Sequence, residues 1–365
     1  MSHQPLRSIA VVLPLLLLAA CGEEVRDSTT RGVTPQADAI DGLFRFSVTL
    51  GAVIWLLVMG LLAVPIWRSW RRRGGDAEVA PTDRGPVRLD APASEVDGAI
   101  AVADPTHVAQ AEADHRVRNR LIWVGGIILP ALVLVTLLVY SSVVGRAAAH
   151  VPEDGELVVD VIGHMFWWEV IYEDEAVITA NEIVVPVDRP VRFNLTTEDV
   201  IHSFWIPRIH GKVDMIPGRT NTFTFTATET GDFRGNCAEF CGIAHAQMVA
   251  FVRVVEQDEF DAWVAAQQQP ATTGASTDGE QVFIEAGCAA CHAVAGTDAV
   301  ARVGPDLTHL ASRRTLAAGI VPNERERLEQ LIIEPQAVKP GIPMPAAQLS
   351  ADELEALLDY LEGLE

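Results

Sequence analysis

Apolar and polar positions divide the chain into four regimes. Residues 9–20 form a 12-residue apolar run behind Arg7, too short to span a bilayer and shaped like the core of a secretory signal. Residues 46–67 and 121–144 follow, 22 and 24 residues without a charged side chain, and predict two membrane-crossing helices. Buried core helices are the alternative, and two such runs in an otherwise acidic chain weigh against it. Over 156–255 the pattern turns to short runs rich in Val, Ile, Thr and Phe: 157–162, 183–187, 191–196, 222–228 and 249–255. Asp188-Arg189-Pro190, Pro217-Gly218 and Thr230-Gly231-Asp232 punctuate them as turns. This predicts an all-β sandwich of about a hundred residues, closed by a short helix over Gln257–Gln267. The polar stretch from Gln268 to Thr277 reads as a linker. Beyond it the pattern is helical. Thr277-x-x-Glu280 and Ser350-x-x-Glu353 have the form of capping boxes, the second opening an amphipathic helix that runs to Leu364. The expected organisation is a signal over 1–20, a two-helix transmembrane hairpin over 40–150 with a linker at 68–120, a sandwich over 151–268, a linker over 269–276, and an all-α domain over 277–365.

Arginines orient the hairpin. Arg68, Arg71, Arg72 and Arg73 close the first span, and Arg116, Arg118 and Arg120 open the second. The Ala-, Pro-, Asp- and Gly-rich segment between them is therefore expected in the cytoplasm, with everything after Arg146 outside. Charge sharpens this division. The 365 residues carry a net −22, yet mean hydropathy is +0.21. Residues 1–150 are neutral overall, 151–270 carry −13 and 271–365 carry −9. Wholesale disorder is excluded, and so acidic an exported surface does not suit nucleic acid. It suits a basic partner instead. The same figures pose a difficulty, because two acidic domains repel at long range unless local patches oppose it.

Five cysteines, an odd number, exclude a pure disulfide framework. Leu18-Ala19-Ala20-Cys21-Gly22 resembles a bacterial lipobox, in which Cys21 would be lipidated after cleavage. The alternative is an ordinary signal peptide with an incidental cysteine. Four potential ligands, Cys237, Cys241, His245 and Met248, fall within twelve residues after a strand. Thiolate, imidazole and thioether together favour copper. Two cysteines can bridge two copper ions, with His202 in Asp199-Val-Ile-His202 as the matching second imidazole. A tetrahedral zinc site is the competing metal reading, and it leaves Met248 unexplained. A Cys237–Cys241 disulfide is the structural alternative, and it leaves both His245 and Met248 unexplained.

Cys288-Ala-Ala-Cys291-His292 is the attachment signature for a c-type haem, with His292 as proximal ligand. A thioredoxin-like redox pair is the rival, but no βαβ pattern surrounds the motif. Met344, in Pro343-Met344-Pro345, is the one methionine after it, and the prolines stiffen its loop. His309 is the rival sixth ligand. The segment from Gly304 to Leu310 resembles the haem-packing stretch of class I cytochromes c, with Pro305 near the proximal histidine.

Three elements together resemble subunit II of haem–copper cytochrome c oxidases: Cys-x-Glu-x-Cys-Gly-x-x-His-x-x-Met, Asp199-Val-x-His202-Ser-Phe204, and Asp214-Met-Ile-Pro217-Gly218-Arg219. The resemblance covers residues 40–268, and the fused haem motif makes it the caa type. It implies a cupredoxin-like sandwich with a dinuclear copper centre bridged by Cys237 and Cys241. His202 and His245 would each complete one copper, with Met248 and the Glu239 carbonyl as weak axial ligands. The Glu239 side chain would face a magnesium ion at the catalytic-subunit interface. Implied partners are oxidase subunits I and III and a soluble cytochrome c donor, at the outer face of a bacterial plasma membrane. Electrons would pass through haem and copper to the subunit that reduces oxygen. Two positions depart from the family. Phe166, in Gly163-His-Met-Phe166-Trp167-Trp168, stands at the tryptophan of electron transfer from the donor, and Arg120 stands at a glutamate of proton uptake. Alternative functions are the matching subunit of a copper-containing nitric oxide reductase and, in another class, a copper-delivery lipoprotein.

Overall fold

The computed structural model describes residues 31–73, 115–148, 156–271 and 277–365. The signal reading and Cys21 lie outside the described residues, as does most of both linkers. Helix α1 spans Pro35–Arg73, and α2 runs His115–Arg146 as a candidate membrane span. Thr34 starts α1 by accepting a hydrogen bond from the Ala37 N–H, with Pro35 in the first turn, where its missing N–H costs nothing. A π-helical stretch, Val124–Ile128, interrupts α2 just before Pro130, whose ring clashes with the regular ladder. Side chains such as Leu56 and Leu138 are 62% and 65% exposed, as residues meant for lipid would be. Within the hairpin, Phe46 meets Tyr140 edge-on at 5.2 Å. Residues 68–73 and 115–120, expected in the linker, are helical. The arginines there are good helix formers, and Arg71 stacks over Trp67 at 3.9 Å.

The sandwich has two five-stranded sheets. β1 (Leu157–His164), β2 (Trp167–Tyr172), β3 (Val177–Ala180), β5 (Pro190–Thr197) and β8 (Asn221–Thr226) form one, in the order β3-β2-β1-β5-β8. β4 (Glu182–Pro186), β6 (His202–Trp205), β7 (Val213–Met215), β9 (Gly231–Cys237) and β10 (Val249–Val255) form the other, in the order β4-β10-β9-β6-β7. β1 and β5 alternate buried and half-buried residues, as a one-sided sheet requires. Between the sheets Phe193 sits 5.1 Å from Phe225 and 5.8 Å from Phe204, which meets Trp168 at 5.1 Å. The five strands expected from apolar runs are present. β2, β6, β7 and β9 were not expected, because they carry aromatic, charged or ligand residues in place of a β-branched run, and β3, Val-Ile-Thr-Ala, is a β-branched run only four residues long. Helix α3, Gln257–Gln267, falls at its predicted place.

The third part is helical: α4 (Thr277–Glu285), α5 (Arg325–Ile333), α6 (Pro335–Val338) and α7 (Ala351–Glu362). Two-residue strands β11 (Thr315–Leu316) and β12 (Val321–Pro322) add one small hairpin to the expected all-α domain. Ser350 and Glu353 make both halves of the predicted capping box. The described part of α4 opens at Thr277, and α7 stops at Gly363, short of Leu364. Helices α4 and α7 cross at Gly279, where a Cβ would fall 2.2 Å from the Ala356 carbonyl oxygen and 2.5 Å from Tyr360 Cβ. Backbone cannot yield there. Gly279→Ala is therefore expected to cost at least the ~1–3 kcal/mol typical of overpacking, read as a lower thermal midpoint of the haem band.

Candidate metal centres

β6 and β9 deliver His202 and Cys237 to one end of the sandwich, and the loop from β9 to β10 delivers the rest. Cys237 Sγ lies 3.8 Å from Cys241 Sγ and 3.8 Å from His202 Nδ1. Cys241 Sγ lies 3.7 Å from His245 Nδ1 and 4.0 Å from Met248 Sδ. The Glu239 carbonyl oxygen is 3.2 Å from Cys237 Sγ. Every residue predicted from the motif therefore converges, and the ligand atoms of His202, Cys237 and Cys241 lie within 4.8 Å of one another, close enough to hold one ion. A sulfur separation of 3.8 Å is far from the ~2.05 Å of a disulfide, so that alternative fails. Six donors strung along two sulfurs also exceed what one tetrahedral zinc takes.

Burial makes the site selective. His202 is wholly buried and its Nε2–H donates to Asp199 Oδ1 at 2.8 Å, so the Nδ1 lone pair faces the sulfur. Burial lowers the His202 pKa, but Cys237 and Asp199 outweigh it and raise the net value. Gly163 makes the room: a Cβ there would sit 2.9 Å from His202 Cδ2. The hydrogen bond from Cys241, aided by His202, pulls the Cys237 thiol down to about 3, while the same contact pushes Cys241 up. Two thiolates this close repel, and a cation between them removes the conflict. This donor set fits copper. The Glu239 carboxylate points elsewhere, 3.5 Å from Lys212 Nζ, and is half-exposed.

In the helical domain, Gly287 (φ 81°) turns the chain from α4 into the short 3-10 turn Cys288–Ala290. His292 Nδ1–H donates to the Pro305 carbonyl at 2.7 Å, which leaves Nε2 as the free lone pair. Burial lowers the His292 pKa and keeps the imidazole neutral, the form that binds metal. A Cβ on Gly304 would fall 2.6 Å from His292 Cε1, so glycine is needed to let the loop pack on the ring. Both cysteines are free and half-buried. The donor set and fixed tautomer fit a covalently held haem. His309 Nε2–H is spent on the Gln267 carbonyl at 3.0 Å, whereas Met344 is half-buried in its proline-flanked loop.

A family model for the periplasmic domain of cytochrome c oxidase subunit II matches residues 175–255, and a cytochrome c model matches 276–365. Cytochrome c oxidase subunit 2 of Alkalihalophilus pseudofirmus is 33% identical over 363 residues, covering 96% of this chain and 94% of that protein. The chain belongs to the cytochrome c oxidase subunit II family. Subunit 2 of Bacillus sp. strain PS3 is 35% identical over 277 residues, 70% of this chain and 76% of the relative. A crystal structure of the periplasmic domain of the Bradyrhizobium japonicum subunit II is 36% identical, covering 33% of this chain and 97% of that one at a TM-score of 0.32.

In this subunit II the haem domain is held against the sandwich by charge. Only six basic residues follow Thr277, and three of them turn toward the acidic sandwich. Arg302 Nε donates to Glu169 Oε1 at 2.8 Å, Arg314 Nη1 to Asp232 Oδ2 at 2.6 Å, and Lys339 Nζ to the Phe166 carbonyl at 2.7 Å. The repulsion implied by net charge is thus answered locally. Sequence reasoning missed these residues; it named Asp199, Gly163 and Gly304 only as members of longer motifs, without the roles their contacts give them. Glu169 is buried, which raises its pKa, yet the His164 and Arg302 contacts outweigh this and hold it below the ordinary value. A carboxyl depressed in the folded state contributes its full stability above the unfolded value of 4.5 and loses it as pH falls through the folded one. Glu169→Gln is expected to flatten this acid limb, measured as the midpoint of acid unfolding.

Proposed function

We propose that this subunit takes electrons from a soluble one-electron donor at a c-type haem and passes them by a dinuclear copper centre to the haem–copper catalytic subunit. The convergence of six donors on two thiolates, in the same chain as a haem-attachment motif, carries this reading. The copper pair, when bound, supplies an acceptor whose added electron is shared between two ions. The chain's residues do the rest. Cys237, Cys241, His202, His245, Met248 and the Glu239 carbonyl would hold the copper, the thiolates and imidazoles as the strong donors and the thioether and carbonyl as the weak ones. Asp199 fixes the His202 tautomer, and the buried Trp168 and Phe204 keep water from its ring.

Cys288 and Cys291 would tether the haem, with His292 Nε2 and Met344 Sδ on the iron. Met raises a haem's potential, which suits donation to copper. Glu239, half-exposed, is the carboxylate this chain would offer a magnesium ion at the subunit I interface. Arginine placement supports a hairpin with both redox domains on the outer face, beside subunits I and III. A copper carrier has no use for a haem.

Purification of the native complex tests the reading. The expected result is two coppers and one c-type haem per chain, in company with a subunit that reduces oxygen. Absence of both signals would sink the proposal, and a partner reducing nitric oxide would reassign it to the sibling enzyme.

A further inference from the structure

The contact between the two redox domains is more specific than a tether needs. The tip of the β11–β12 hairpin, Ala317-Ala318-Gly319, has three successive left-handed residues, with φ of 54°, 59° and 80°. For alanine that conformation costs ~1–3 kcal/mol and persists only where surroundings enforce it. Here the surroundings are the sandwich. The Ala318 carbonyl accepts the Val249 N–H of β10 at 3.1 Å, and its side chain packs with Trp167 and Ala180 in a small buried cluster. Gly319 lies so near Val249 that a Cβ would meet it at 2.8 Å.

Lys339 completes the contact. It is 2% exposed, and its Nζ donates to two backbone carbonyls, Phe166 at 2.7 Å and Ala317 at 3.0 Å. One acceptor belongs to the sandwich and the other to the hairpin tip. The Phe166 ring lies against Gly242, where a Cβ would meet it at 2.9 Å, one residue from Cys241. On the haem side the chain leaves Lys339 through Pro340 and Gly341, and Ile342 packs on the sandwich core. Met344 follows two residues later.

We propose that Lys339 is a positioning residue for electron transfer inside the chain: by joining the Phe166 and Ala317 carbonyls it keeps the haem domain seated on the copper domain in one geometry. The inference rests on the function proposed above. In the step it serves, the haem iron loses one electron and the copper pair gains it, with no bond made or broken. Burial pushes the Lys339 ammonium down to about 7. A neutral amine keeps two N–H donors, as many as the two carbonyls need, so either protonation state holds the contact. Phe166 thereby acquires a role: its backbone, not an indole, meets the electron-donating domain.

The test uses the full complex with both centres loaded. A ten-residue Gly/Ser insert between Ala271 and Thr277 is expected to leave the haem-to-copper rate after flash reduction unchanged, because a seated domain is indifferent to tether length. A domain that finds its site by diffusion would slow as effective concentration fell. Lys339→Met is expected to slow the internal step about tenfold and to speed hydrogen exchange of the Val249 amide by a similar factor. Haem and copper spectra should stay as in the wild type, and the insert should now slow transfer further. Lys339→Gln, which keeps a donor, should recover part of the loss. The proposal is overturned if the insert slows the wild type, or if Lys339→Met leaves both the rate and Val249 exchange unchanged. Should Lys339→Met not assemble, the insert decides alone. Absence of haem and copper signals in the wild type would instead defeat the functional reading.

Discussion

Cys241→Ala is expected to remove the copper signal altogether while leaving the c-type haem band intact. Cys241 Sγ stands between three other donors: Cys237 Sγ at 3.8 Å, His245 Nδ1 at 3.7 Å and Met248 Sδ at 4.0 Å. On the proposed reading, removing it would take away one of the two thiolates and leave His245 and Met248 without the sulfur they share. Copper affinity should fall by well over the ~10–100-fold that follows loss of a residue which only supports a ligand. Asp199→Asn supplies that milder case. It keeps the shape of the Asp199–His202 contact but weakens the acceptor that fixes the imidazole, so affinity should fall within that range and the spectrum should persist. Metal analysis and copper absorption on the two purified variants measure both. A Cys241→Ala chain that still holds two coppers with wild-type absorption would refute the bridging role.

Met344→Ala is expected to lower the haem potential by tenths of a volt, a sizeable part of the ~0.8 V that axial ligands command, and to leave the iron open to added ligands. The rival ligand is already occupied. His309 is 5% exposed with its Nε2–H on the Gln267 carbonyl, whereas Met344 sits half-buried between two prolines. His309→Ala should therefore loosen the end of α3 and leave the haem spectrum as it was. Redox titration with spectra of both variants separates the two. The assignment is wrong if His309→Ala alters the ligand signature and Met344→Ala does not.

Chemistry was legible in this chain wherever function forces residue types into a short segment. Cys237 to Met248 lie on one loop and Cys288 to His292 on one turn, so local spacing pointed to copper and to haem, while His202 and Met344 lie outside those segments and the full copper set followed from the family resemblance. Long apolar runs announced the hairpin helices, since lipid demands uninterrupted hydrophobicity, although their ends overran because arginine favours the helix it terminates. Strands with a Val/Ile/Thr pattern were visible; β2, β6 and β9 were not, because Trp167, His202 and Cys237 hold places that simple strands give to β-branched residues.

Whatever depends on residues far apart in the chain was decided by the tertiary structure. The Pro305–His292 hydrogen bond, which fixes the tautomer of that imidazole, spans thirteen residues of loop. Glycines 163, 279 and 304 look like any others until the opposing atoms are in place. Net charge was the plainest case. The sequence determined that both exported domains are acidic and therefore repel as whole bodies. Only the fold decided that Arg302, Arg314 and Lys339 gather on the single face where the domains meet, because charge is summed along a chain but acts through space.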